Sequence, residues 1–334
     1  MKLFKAFAGA LCVAGALLAS VAQAAPPTAL KIAAALSVGP DEPWDGSFLA
    51  AWEKVRADKP HGLNINAPTF TEGVWGDSAE AVARLYARKG YDIVWMHSSY
   101  SDQVKRIKDK YPNVMFVVVG SGNEGLGGNS YWVYMRNHEA AYLQGVTAGL
   151  TTKTGTVGFV GTFPADDVVD AANAYFAGAA SVKPDIHKKV AFIESWWDPP
   201  MAREASTAQI AAGADNLLMS ATAFEACREK KIQCHGAYKN WIPDAPDVVM
   251  SSFVSNWQPA LRWIIDEWYK VRSADGQWQG NTEKKWFTMA EGGTDAALND
   301  ALPAEVKTKV EAVRQDILSG KLVVPLNVET PKSD

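Results

Sequence analysis

Cysteine is scarce in this chain, positive charge is outweighed, and beyond the opening segment no apolar run approaches the roughly 18 residues that a membrane-spanning helix requires. Three cysteines in 334 residues exclude a disulfide-dense scaffold. Thirty-three Lys and Arg against 37 Asp and Glu, a formal charge of −4, argue against the basic face of a nucleic-acid module. The five histidines (His61, His97, His138, His187, His235) form neither an H-E-x-x-H motif nor an i, i+4 pair. A Walker A loop and a G-x-S-x-G elbow are also missing, so no metal, nucleotide cofactor or catalytic triad is expected. No Pro, Gly or Ser-rich linker divides the chain.

What the chain does have is apolar material, 48% of its residues, and length enough for one large or two medium domains. It also has 13 tryptophans, more than its 10 tyrosines or 12 phenylalanines. Lys2 and Lys5, the apolar run Ala6 to Leu18 and the small-x-small ending Val21-Ala22-Gln23-Ala24 read as a secretory signal peptide cleaved after Ala24. Cys12 follows Leu11, where a lipoprotein signal needs a small residue, so a lipid anchor is not the reading. Removing the two lysines leaves 31 basic against 37 acidic residues, a net charge of −6 on a mature periplasmic protein. Removing Cys12 leaves Cys227, on the helical pattern FEACREKK, and Cys234, on the strand pattern QCHGAY. A disulfide across that turn is the favoured reading and two packed thiols the alternative; His235 alone is too little for a metal site.

Strand patterns at 31–38, 63–71, 91–98 and 114–120 alternate with helical periodicities in SFLAAWEKVRAD, DSAEAVARLYARKG and SDQVKRIKDKYP. This alternation predicts an α/β parallel sheet with helices on both faces. After NSYWVYMR (129–136) a second series of similar length begins, and it closes with a helix at WQPALRWIIDEWYKVRS, a strand at KKWFTMAEG and a last helix at PAEVKTKVEAVRQDILSG. Two α/β lobes without a linker imply a hinge and a cleft, with ligands at the carboxyl ends of the strands.

Gly120-Ser121-Gly122-Asn123-Glu124-Gly125 matches G-x-G-x-x-G after a strand, but no helix follows to present its N-terminus to a pyrophosphate. Asp166-Asp167 opens a helical pattern and reads as capping and dipole compensation. Asp198-Pro199-Pro200 likewise starts a helix. Two tryptophan loops are more informative. Trp44, beside Asp45 in GPDEPWDGSF, follows the first strand, and Trp196 and Trp197 in SWWDPP follow a strand of the second series. Facing each other across a cleft they would sandwich a flat ligand; the alternative is that both loops bury tryptophan against their own lobe. Trp52, Trp263 and Trp268 lie on helix faces and read as packing. Two stacking faces supply at most roughly 6 kcal/mol, whereas micromolar affinity needs about 8. Hydrogen bonds from strand-end residues must supply the difference, and Ser98, Ser99, Asn240 and Asn256 are the candidates.

The stretches HEAAYLQGVTAGLTTKTGTVGFVGTFP, ANAYFAGAASVKPDI, ESWWDPPMAREA, QIAAGAD, SNW and PAEVKTKVEAVRQDILSGKL resemble the basic membrane protein family of ABC-transporter substrate-binding proteins, whose best-understood members bind purine nucleosides. The resemblance implies a type I periplasmic-binding fold with three crossovers between two Rossmann-like lobes. On this chain the lobes fall at 25–137 plus 256–290 and at 138–255 plus 291–330. It implies ligand contact by Trp44 and Asp45, and by Trp196 with Trp197 as alternative. Asn240 stands where nucleoside-binding members have aspartate, and Ser255 where they have lysine. A free purine base or another flat heterocycle therefore joins the nucleoside as an expected ligand. The expected partners are that solute and an inner-membrane ABC permease, with no nucleic acid and a monomeric state. The competing readings are a sugar-binding protein of the same fold, a sensor partner, and a secreted enzyme acting on nucleosides or sugars.

Overall fold

The computed structural model describes residues 25–334 except 121, 222 and 275, so the signal peptide and Cys12 lie outside the described residues. The first lobe is built from β1 (Ala29–Leu30), β2 (Ile32–Leu36), β3 (Asn64–Ile65), β4 (Phe70–Thr71), β5 (Ile93–His97), β6 (Met115–Val119) and β7 (Ser130–Met135). Helices α1 (Pro43–Asp58), α2 (Asp77–Arg88) and α3 (Ser101–Lys105) connect them. The second lobe begins at α4 (Asn137–Thr151). It continues through β8 (Thr156–Gly161), α5 (Asp166–Val182), β9 (His187–Phe192), α6 (Pro199–Ala211), β10 (Asn216–Met219), α7 (Phe224–Lys230), β11 (Gln233–Gly236) and β12 (Val249–Ser255). The chain returns to the first lobe for α8 (Gln258–Ser273) and β13 (Lys285–Phe287), then ends in the second with β14 (Thr294–Leu298) and α9 (Ala304–Leu318).

The first sheet runs β13-β7-β6-β5-β2-β4, and every pairing in it is parallel. The second runs β14-β12-β11-β10-β8-β9, parallel except for the antiparallel β12–β14 pair. The runs IAAAL, IVWMH, MFVVV and SYWVYM are buried at every position, as strands covered by helices on both faces must be. Trp52 and Trp268 are buried in the first lobe's core, and Trp263 packs against it. Cys227 and Cys234 are joined as a disulfide between α7 and β11, with Cα atoms 6.2 Å apart.

Several elements differ from the sequence pattern. The stretch 63–71 is two separate two-residue strands, β3 on β1 and β4 on β2, because the Asn66 side chain takes the edge bonds of Ile32 between them. The helix expected over 101–112 stops after five residues and resumes only as a 3-10 turn at Lys108–Lys110. KKWFTMAEG contributes just Lys285–Phe287 to a strand, and β14 had no clear alternation to announce it.

The three passages between lobes are bonded to one another. Arg136 N–H donates to the Phe287 carbonyl at 2.9 Å, and Met289 N–H donates to the Glu139 carboxylate at 2.6 Å. Asn256 N–H and its side-chain amide donate to the carbonyls of Gly293 and Gly292, both at 2.9 Å.

Candidate functional site

The carboxyl ends of both sheets face a cavity between the lobes. Trp44 reaches it from the first lobe and Trp196 from the second. Trp44 sits in the first turn of α1 and not in a preceding loop. The reason is local: Glu42 caps the helix, accepting the Asp45 N–H at 2.8 Å, and Pro43 pre-sets the first helical residue, so α1 starts four residues before Ser47. One face of the Trp44 ring stacks on His97, centroids 3.9 Å apart, and Trp257 meets its edge at 5.6 Å. Trp44 packs against the hydrophobic cores of both lobes, so it bridges the closed cleft. Trp196 leans on Phe163 at 4.9 Å, from the loop between β9 and α6, whose first turn is capped by Asp198.

Behind Trp44 lies a buried polar group. Asp45, fully buried, accepts the N–H groups of Val38 and Gly39 at 3.0 and 2.9 Å and so closes the β2–α1 turn. Its other oxygen faces His97 Nε2 at 3.7 Å. Trp95 Nε1 donates to His97 Nδ1 at 3.0 Å, which puts the imidazole proton on Nε2. Burial holds His97 well below the ordinary imidazole range, so the ring is neutral and the Asp45 contact is not an ion pair. Burial first, and the neighbouring Glu42 second, push Asp45 well above the usual carboxylate range. Burial likewise raises Glu42, to about 7.

The candidates named from sequence separate into groups. Trp44, Ser98, Ser99 and Trp196 line the cavity. Trp197 lines an open trough at its mouth with Trp75 and Phe163. Asp45 stands behind the wall, holding the turn that carries Trp44. Asn240 is exposed and bonds the Ile242 N–H, while Asn256 ties passages between the lobes, so neither reaches the cavity. The lining also includes Glu42, Asp167, Thr162 and Tyr238, which the sequence reading did not select as ligand contacts. Tyr238 is two residues from Asn240, and its left-handed backbone (φ 68°) turns it inward after β11. Asp167, in the first turn of α5, does more than compensate the dipole: it accepts the Tyr134 hydroxyl at 2.7 Å, a hydrogen bond that joins the lobes. Burial, and then the charge of Asp167, keep Tyr134 protonated far above neutral pH. A second cavity adjoins on the hinge side and shares Gly120 and Asp167 with the first. Gly120, at φ +83°, lets the chain leave β6 close against the Trp44 ring. Among the described residues no cluster of side chains could hold a metal ion, and no helix is long and apolar enough to cross a membrane.

Two lobes of mostly parallel sheet around a cavity, with three bonded passages between them, define the fold of periplasmic solute-binding proteins. A solved ABC-transporter solute-binding protein from Aeropyrum pernix superposes with a TM-score of 0.72 at 14% identity, over 89% of this chain and 94% of that one. The chain belongs to the family described as ABC transporter substrate-binding protein, PnrA-like, whose profile matches residues 35–327. A purine-binding protein of Brucella abortus is 30% identical over 291 residues, covering 85% of this chain and 80% of its own length. A nucleoside-binding protein of an ABC transporter in Lactococcus lactis is 26% identical over 261 residues, 71% of this chain and 72% of its own. The family is one of extracytoplasmic substrate-binding proteins, which take up a small molecule and work with a membrane permease.

Proposed function

We propose that this protein holds a flat nitrogen heterocycle, a purine base or nucleoside-like solute, between Trp44 and Trp196 and delivers it to its permease without chemical change. The observation that carries the reading is the lining of the cavity: one tryptophan from each lobe, one carboxyl group from each lobe (Glu42 and Asp167), hydroxyls from Ser98 and Thr162, and no Lys or Arg among the described residues. Aromatic faces suit a planar ring, and carboxyl groups suit its edge, accepting from ring N–H groups when ionised and donating to a ring nitrogen or carbonyl oxygen when protonated. Two carboxyl groups without a cation disfavour phosphate, so nucleotides are poor ligands. Similarity to the purine-binding protein of Brucella supports the same ligand class. A solute that touches both lobes stabilises only the closed form, and its differential affinity drives closure.

Mass spectrometry of the solute retained by the purified protein, followed by calorimetry with purine bases, nucleosides and nucleotides, tests this. A purine that binds while its monophosphate does not is the expected result. A retained hexose or pentose would replace the purine reading by the sugar-binding one, since tryptophan and carboxylates also suit sugars. Turnover of a nucleoside would establish an enzyme.

A further inference from the structure

Glu42 occupies two positions at once. Its carboxyl group accepts the Asp45 N–H at 2.8 Å, and the residue, only 6% exposed, is one of those lining the cavity beside Trp44. The titratable groups around it offer no positive charge. Asp45 is its neighbour on α1, with neutral His97 from β5 beyond it. Tyr238 and Asp167 face the cavity from the second lobe, and Glu72 lies against Gly39 in the preceding turn. A buried carboxylate with a second one, Asp45, beside it and no cation near favours its neutral form. Burial outweighs the backbone N–H groups of Asp45 and Trp44 and sets the group to titrate at about 7. A protonated carboxyl adds an O–H donor that an ionised one lacks.

Resting on the reading of the cleft as a site for flat nitrogen heterocycles, we propose that Glu42 is the specificity-determining residue for the ring edge: its protonated carboxyl donates to a ring nitrogen or carbonyl oxygen of the stacked solute, so that binding is coupled to proton uptake. Ligand closure removes remaining water from the carboxyl and favours the proton further. The sign follows. Affinity is highest and flat below the free group's titration range, and it falls as pH rises through and above that range, by up to about tenfold per pH unit.

Calorimetry with adenine and with hypoxanthine, from about pH 6 to 8 in buffers of different ionisation enthalpy, measures the uptake directly. The native protein should take up a fraction of a proton per ligand near neutrality. Glu42→Gln keeps an oxygen for the Asp45 N–H and a permanent donor for the ligand, so it should bind with less proton uptake and a shallower pH dependence, the remainder belonging to Asp45. Uptake undiminished in E42Q, or a native affinity flat across that range, overturns the proposal. Tryptophan emission of the ligand-free protein against pH gives a second readout, in which the native midpoint near neutrality disappears in E42Q. If neither purine binds at any pH, the purine reading falls. The emission profile then judges Glu42 by itself: a neutral midpoint lost in E42Q supports its proton-accepting role, and a flat native profile overturns it.

Discussion

The two lobes share a sheet design and differ in what fills it. Of the 13 tryptophans, only Trp196, Trp197 and Trp241 belong to the second lobe. The first lobe fills the space around its sheet with large rings: Phe48 stacks on Trp95 at 4.8 Å and on His97 at 4.3 Å, and Trp257 meets all of them. The second lobe instead brings backbones together. A Cβ on Gly145 of α4 would lie 1.9 Å from the Tyr175 carbonyl oxygen of α5, and one on Gly178 of α5 would lie 2.1 Å from the Tyr142 carbonyl oxygen. Burial is thus reached by volume around the first lobe's sheet and by close approach at the α4–α5 seam of the second. The ring cluster of the first lobe is sensitive to losing atoms, the α4–α5 seam of the second to gaining them.

Substitutions should expose that opposition. Trp95→Ala, in the first lobe, should cost about 3 to 5 kcal/mol and be seen as a large drop in melting temperature. Gly145→Ala, one methyl added in the second lobe, should cost about 3 kcal/mol by forcing α4 off α5. A thermal scan in which G145A melts like the native protein would remove the close-approach account. At the cleft the lobes should act symmetrically. Trp44→Ala and Trp196→Ala are each expected to lose about 1 to 3 kcal/mol of affinity, tenfold or more for Trp44, by calorimetry. A change confined to one of them would mean that stacking is one-sided. Binding should also change tryptophan emission, mostly through Trp44.

The smallest effect concerns Asp215, at the β10 end of the second lobe. Burial raises its pKa, but the Thr152 hydroxyl and the N–H groups of Lys153 and Thr154 outweigh it and hold the carboxyl below its ordinary range. Its contribution is therefore present above the unfolded value and lost as pH falls through the folded one. Asp215→Asn should cost about 1 kcal/mol at neutral pH, with the difference shrinking in acid when denaturation is followed against pH.

Much of the lobe architecture was legible because buried parallel strands write themselves as unbroken apolar runs, such as MFVVV and IAAAL. β14 was not, since TDAAL forms a half-exposed antiparallel edge whose only strand partner is β12. At the cavity, Trp44 and the pair Trp196 and Trp197 were legible from their place after strands, and the preference for Trp196 came from the family resemblance. Asp167 was missed because an acid at a helix start reads as a cap, and Glu42 because the helix it caps was expected to begin near Ser47 and begins at Pro43. The signal was available in topology: each strand's carboxyl end leads into a helix N-terminus, so in this fold the capping positions of α1 and α5 are also cleft positions. Tyr238 was hidden by its backbone, whose left-handed turn no residue type announced.

The close seating of α4 on α5 has a mechanical consequence. α4 begins at the first passage between lobes, and α5 begins with Asp167 in the cleft wall. Carbonyl oxygens press against glycine along the contact, leaving no compressible layer of side chains between the two helices. Pivot and jaw are consequently joined through one tightly seated helix pair. The Asp167–Tyr134 hydrogen bond thereby ties the cleft wall of the second lobe, through α5 and α4, to the first passage between the lobes.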